Sequence, residues 1–172
     1  MSVVVAGNPP LTLDQFNTAE TAAARRVLDA CLDIERWVSE VEAGRPYPDE
    51  QSLRAAAAAS AQEISWAEVA GALARHPRIG EKATGDAGDV ALSASEQAGV
   101  VDADVAALAA GNVAYEQRFG YIYLICATGL SGAQMVAALQ ERLGHDDEQE
   151  RLVVISELQK ITALRLAKAV AA

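Results

Sequence analysis

Basic residues are scarce in this chain: 14 Lys and Arg stand against 24 Asp and Glu, for a formal net charge of -10. Nucleic-acid binders neutralise phosphates with a basic stripe, and none is present, so no nucleic-acid partner is expected. Acidity of this kind speaks to solubility and not to function. Cysteine is nearly absent. Cys31 and Cys126 lie far apart in apolar surroundings and form no CxxC pair, which points to buried free thiols and a reducing, cytoplasmic setting. With two histidines and no His-x-x-x-His or paired thiols, the spacing of a zinc site is missing. No apolar run reaches membrane-spanning length, so no membrane partner is expected. Met1-Ser2-Val3-Val4-Val5 lacks a basic n-region and a full apolar h-region, and Val170-Ala171-Ala172 is not a Ser-Lys-Leu-type address; neither a secretory leader nor a peroxisomal signal is expected.

What is abundant is alanine, in a background of Glu, Asp, Arg, Gln and Lys with few aromatic or β-branched residues. These are mainly good helix formers, and they predict an all-α fold of about eight helices. At 172 residues, about half of them hydrophobic, the chain suffices for one compact domain over residues 1–172.

After Gly7-Asn8-Pro9-Pro10, Leu11 to Asn17 reads as a brief helix. Thr18 with Thr21 can cap a longer one running to about Glu42, with Leu28, Cys31, Ile34 and Trp37 at apolar spacing. Gly44, Pro46 and Pro48 mark a turn, and the alanine run Leu53 to Ala61 a further helix. Ser65-Trp66-Ala67-Glu68 is a capping-box pattern opening a helix that ends near His76, and residues 83 to 92 read as an exposed loop. Phe119 to Ser131 is an apolar run bounded by glycines that permits a strand, a buried helix or an extended segment. Ser131 with Gln134 is another capping box, and a last helix spans about Asp146 to Ala169. His145 and the acids after it suit a helix start, where negative charge meets the positive dipole end. No chemistry is assigned to His145.

Four pieces carry candidate chemistry. In Arg75-His76-Pro77-Arg78-Ile79-Gly80-Glu81-Lys82, proline disfavours helix in the residue before it, so His76 is expected to project from a loop, as a structural residue or as a proton donor. Ser93-Ala94-Ser95-Glu96-Gln97 is a capping box that also places hydroxyl, carboxylate and amide groups on one first turn, where they can meet a small polar ligand. The run through Tyr123 to Ala127 either packs in the core or lines a pocket with backbone polar groups. Val154, Leu158, Ile161 and Arg165 fall at spacings of four, three and four, so Arg165 continues an apolar stripe. Its partner is either a carboxylate of the protein or a bound anion.

Taken in order, HPRIGEK, SxxEQ, FGYIYLICATG and ELQKITALRL resemble the 2-oxo-4-hydroxy-4-carboxy-5-ureidoimidazoline (OHCU) decarboxylases of the urate-to-allantoin route. The resemblance runs from Leu13-Asp14-Gln15-Phe16-Asn17 to Arg165. It implies an all-α fold, no cofactor, a homodimer and a small-molecule ureidoimidazoline substrate. It makes His76 the catalytic proton donor, with Glu96 also catalytic. Pro77, Ser93, Glu96, Gln97, Tyr123, Leu124, Ile125, Cys126, Ala127 and Arg165 would bind substrate. Tyr121-Ile122-Tyr123 stands where relatives often show Phe-Pro-Phe. The alternatives are a helical paralogue acting on another ureide and a non-catalytic helical interaction module, which would have no need of His76.

Overall fold

The computed structural model describes residues 10–76, 78–79 and 102–171, and among these residues it contains eight helices and two two-residue strands. The chain divides into two compact units, Met1–Ala72 with Gln159–Ala172, and Leu73–Leu158.

In the first unit β1 (Leu11–Thr12) pairs in parallel with β2 (Val170–Ala171), Leu11 opposite Val170. Helix α1 (Leu13–Thr18) follows directly, because Thr12 and Gln15 form a capping box; such caps stabilise a helix by about 1 kcal/mol. The expected long helix to Glu42 is instead two, α2 (Thr21–Cys31) and α3 (Glu35–Ala43). Between them Leu32 and Ile34 are extended and both buried, while Asp33 stays exposed. The Ile34 N–H donates to the Leu32 carbonyl at 2.9 Å, and this tight turn at Asp33 buries both apolar side chains while α3 packs back on α2. Nor do Thr18 and Thr21 act as caps. The Thr18 hydroxyl donates to the Asp14 carbonyl at 2.7 Å, and that of Thr21 to the Glu42 carboxylate at 3.2 Å.

The alanine run forms α4 (Glu50–Gln62), capped by Asp49. Its small side chains let Trp37 of α3 come close enough to donate its indole N–H to the Ala57 carbonyl at 2.9 Å. Ser65 and Glu68 make the expected reciprocal bonds at the start of α5 (Trp66–Leu73).

The second unit is built on α6 (Asp102–Phe119), α7 (Gly132–Arg142) and the first part of α8 (Asp147–Ala169). Gly120 (φ +78°) closes α6 in a left-handed conformation that favours glycine. The apolar run after it is neither strand nor helix: Ile122–Ala127 is irregular and ends in a turn at Gly129 (φ +83°). Ser131 and Gln134 then form the capping box that starts α7. One buried cluster joins Ile79, Leu108, Tyr115, Tyr123, Ile125, Ala127, Met135 and Leu139, so Ile79 and the irregular run share a core.

Candidate active site

Helix α5 stops where the proline signal requires. The half-buried His76 closes the last turn by donating its N–H to the Leu73 carbonyl at 3.1 Å. The chain immediately beyond is fastened to α6. The Arg78 guanidinium meets the Glu116 carboxylate through two nitrogens, Nε to Oε1 and Nη2 to Oε2, the latter at 2.9 Å. That hydrogen bonding holds the Glu116 carboxyl below its ordinary range, so the pair stays ionised at neutral pH. One turn earlier on α6, Asn112 donates Nδ2 to the Ile79 carbonyl at 2.9 Å, while the Ile79 side chain sits in the core.

The irregular run Tyr123–Ala127 is held from two sides. Arg142, at the end of α7, donates Nη1 to the Leu124 carbonyl at 2.7 Å. Glu157 of α8 accepts the Cys126 N–H at 2.7 Å. Tyr123 donates its hydroxyl to the Met135 carbonyl at 3.1 Å, and burial pushes its phenol above the ordinary range, so it is no base at neutral pH.

Behind this run lies a buried ionic network. Glu150 is fully buried and Arg142 is 5 % exposed. Glu150 accepts from Arg142 Nε at 2.8 Å and from the Tyr115 hydroxyl, and pairs with His145 Nδ1 at 2.8 Å. The Arg142 guanidinium also lies 4.7 Å from the centroid of the Tyr123 ring. Burial and the Glu150 carboxylate together raise the Tyr115 phenol, which remains a donor. His145 therefore has a role that its sequence context did not suggest, as a partner of a buried carboxylate.

A family model described as OHCU decarboxylase matches residues 17–167. The chain belongs to the OHCU decarboxylase family. It is 33 % identical over 134 residues to the 2-oxo-4-hydroxy-4-carboxy-5-ureidoimidazoline decarboxylase of Amia calva, covering 73 % of this chain and 75 % of that protein. It is 28 % identical over 144 residues to the uric acid degradation bifunctional protein TTL of Arabidopsis thaliana. That match takes in 80 % of this chain but only 44 % of the plant protein, so the chain spans less than half of the bifunctional relative. A crystal structure of OHCU decarboxylase in the presence of (S)-allantoin superposes with a TM-score of 0.71 at 25 % identity, over 87 % of this chain and 97 % of that one. The all-α architecture expected from composition is thus that of the family.

Within this OHCU decarboxylase family member, the second unit packs Ile79, three residues after His76, into the same core as Tyr123, Ile125 and Ala127. Arg165 belongs to the first unit, where it is buried to 8 % exposure and its charge acts on the Cys31 thiol. Burial outweighs that pull and raises the thiol to about 12, so Cys31 stays protonated and inert. Cys126 is partly exposed, and both cysteines are free thiols. Pro77, Ser93, Glu96, Gln97 and the expected loop at 83–92 lie outside the described residues. Among the described residues no group of three or more His, Cys, Asp or Glu gathers as metal ligands would, and no helix is long and apolar enough to cross a membrane.

Sequence reasoning missed Arg142 and Glu150, although the signal that found Arg165 was available for both. Met135, Leu139 and Arg142 fall at spacings of four and three, and Glu150 heads the stripe of Val154 and Leu158. Each is a charge on an apolar face that calls for a buried partner. Asn112, Glu116 and Glu157 carried no local signal.

Proposed function

We propose that this chain catalyses the cofactor-independent decarboxylation of OHCU to (S)-allantoin and CO₂, the third step of urate degradation, with His76 as proton donor. The observation that carries this reading is the family match over residues 17–167, which takes in the stretch from the His76 loop to Arg165.

The chemistry suits the residues. The substrate carries its carboxylate on a ring carbon beside an imine-type group. When the bond to the carboxyl carbon breaks, CO₂ leaves and the electron pair passes into a conjugated, enolate-like system. A proton delivered to one face of that system completes one enantiomer of allantoin. The protein has to orient the carboxylate, stabilise the developing negative charge and supply the proton. His76 gives the proton, from a loop fixed within its own unit. Glu96 steadies the imidazole or polarises the substrate, and Gln97 bonds the ureido or ring amide. Ser93 and Pro77 complete the wall on that side. The run Tyr123, Leu124, Ile125, Cys126 and Ala127 lines the site with its backbone and side chains. The same reading makes the protein a cytoplasmic homodimer of single-domain chains, residues 1–172, working on a small-molecule substrate.

A chain at -10 repels an anionic substrate at long range, so positive charge near the site must overcome this. Arg75, Arg78, Lys82 and Arg165 are the candidates, and Arg165 is the one that this reading puts on the substrate. Arg165→Gln is expected to lower kcat/KM by about 10- to 100-fold, as loss of a charged hydrogen bond does, and to weaken the salt dependence of KM. An unchanged kcat/KM would remove Arg165 from the site. The activity itself is tested by CO₂ release from freshly generated substrate. Release clearly faster than in buffer is expected, and a rate equal to buffer contradicts the proposal.

A further inference from the structure

We infer that Glu116, with Asn112 one turn before it on α6, is a positioning residue that sets the His76 imidazole for proton delivery, acting through Arg78 and Ile79. This inference rests on the proposed role of His76.

The geometry is economical. Residues four apart on a helix share a face, so Asn112 and Glu116 present a donor and a carboxylate along one line. Arg78 and Ile79, two and three residues past His76, take these in order: the Arg78 guanidinium on Glu116, the Ile79 carbonyl on Asn112. On its other side His76 is tied to the last turn of α5 through the Leu73 carbonyl. His76 is therefore flanked by anchored residues, with Leu73 before it and Arg78 and Ile79 after it, the latter two held by side chains of a different element.

Neither contact is what stability alone would select. The Arg78 and Glu116 side chains are 44 % and 28 % exposed, and ion pairs so open to solvent add little to folding. Their two-nitrogen, two-oxygen geometry does fix direction, which a single point contact does not. Asn112 is 4 % exposed, and its Oδ1 finds no hydrogen-bond partner among the described residues. A buried amide with one half unsatisfied is a net expense to the fold. Its donor half meets the Ile79 carbonyl. A cleft of about 530 Å³, lined among others by Arg78, Ile79, Asn112 and Glu116, runs alongside. Core packing of the Ile79 side chain anchors this segment, and on the cleft side the polar contacts of Asn112 and Glu116 set its direction.

The test is steady-state kinetics of Glu116→Gln and Asn112→Ala on the full-length protein, with Tm and the imidazole NMR signal of His76. The chain has two histidines, so that signal is assigned by its disappearance in His76→Ala. Glu116→Gln is expected to lower kcat about tenfold, the scale of a small misplacement of a reacting group, with KM within about twofold of wild type. The His76 resonance should shift while Tm moves by no more than a few degrees. Asn112→Ala should act in the same direction on kcat. An unchanged kcat and His76 signal in Glu116→Gln overturns the inference, and so does a rise in KM at constant kcat, which would assign the clamp to binding. Full activity of His76→Ala would instead overturn the proton-donor reading itself, whatever Glu116→Gln does.

Discussion

His76→Ala is expected to lower kcat by about 10²- to 10⁴-fold, the usual contribution of a positioned general acid. At about 1.36 kcal/mol per factor of ten, this is roughly 3 to 5 kcal/mol of transition-state stabilisation. KM should change little, because the proton is delivered after the substrate is bound and the lost interaction belongs to the transition state. The helical circular dichroism and Tm should stay near wild type, since His76 is half-buried and closes the end of α5 with its backbone N–H, which alanine retains. What survives should be the part due to orientation and charge stabilisation by the remaining site. Equal losses of helicity and activity would mean that His76 holds the fold and does no chemistry.

Glu150→Ala is expected to destabilise the protein by about 3–5 kcal/mol, the range for removing one partner of a buried ion pair. For a chain of this size that is roughly 10 °C in Tm. The magnitude follows from what is orphaned. Arg142, 5 % exposed, would keep a buried charge with no carboxylate beside it, and Tyr115 and His145 would lose their common acceptor. Replacing the ion pair together, as Arg142→Met with Glu150→Leu, should be less damaging than Glu150→Ala alone, because no unpaired charge remains. Arg142 also holds the Leu124 carbonyl, so the double variant should regain stability without regaining full activity. Thermal unfolding and kcat/KM measured on the same preparations separate the two effects. A Glu150→Ala protein within about 1 kcal/mol of wild type would show that the network is a solvated surface feature.

Helix content and several helix starts were legible because they rest on local rules. Ser65 with Glu68 and Ser131 with Gln134 state their reciprocal bonds within four residues, and both form as written. The sequence rule that proline disfavours helix in the residue before it puts a stop near His76 from adjacent residues alone, and α5 ends close by, at Leu73. The break at Leu32–Ile34 was not legible, since nothing local forbids a helix there. It is decided by burying Leu32 and Ile34 and by packing α3 on α2, which is tertiary information. The same holds for the fate of the apolar run after Phe119. Its composition permits a strand, but among the described residues no strand pairs with it, and side chains from α7 and α8 take the Leu124 carbonyl and the Cys126 N–H. Among the proposed site residues, His76 and Arg165 stood out because their chemistry conflicts with their position, an imidazole at a helix stop and a guanidinium on an apolar stripe. Arg142 and Glu150 met the second criterion too but sat among charged helix ends, where the bland explanation hid them. Glu116 had no such conflict: 38 residues separate it from Arg78, and only the fold brings the two together.

The most direct test of the proposed reaction is the handedness of the product. OHCU decays spontaneously to racemic allantoin, so circular dichroism on freshly generated substrate distinguishes catalysis from decay. Wild-type protein is expected to yield (S)-allantoin faster than buffer, with a growing single-enantiomer signal. Racemic product appearing at the buffer rate would contradict the account.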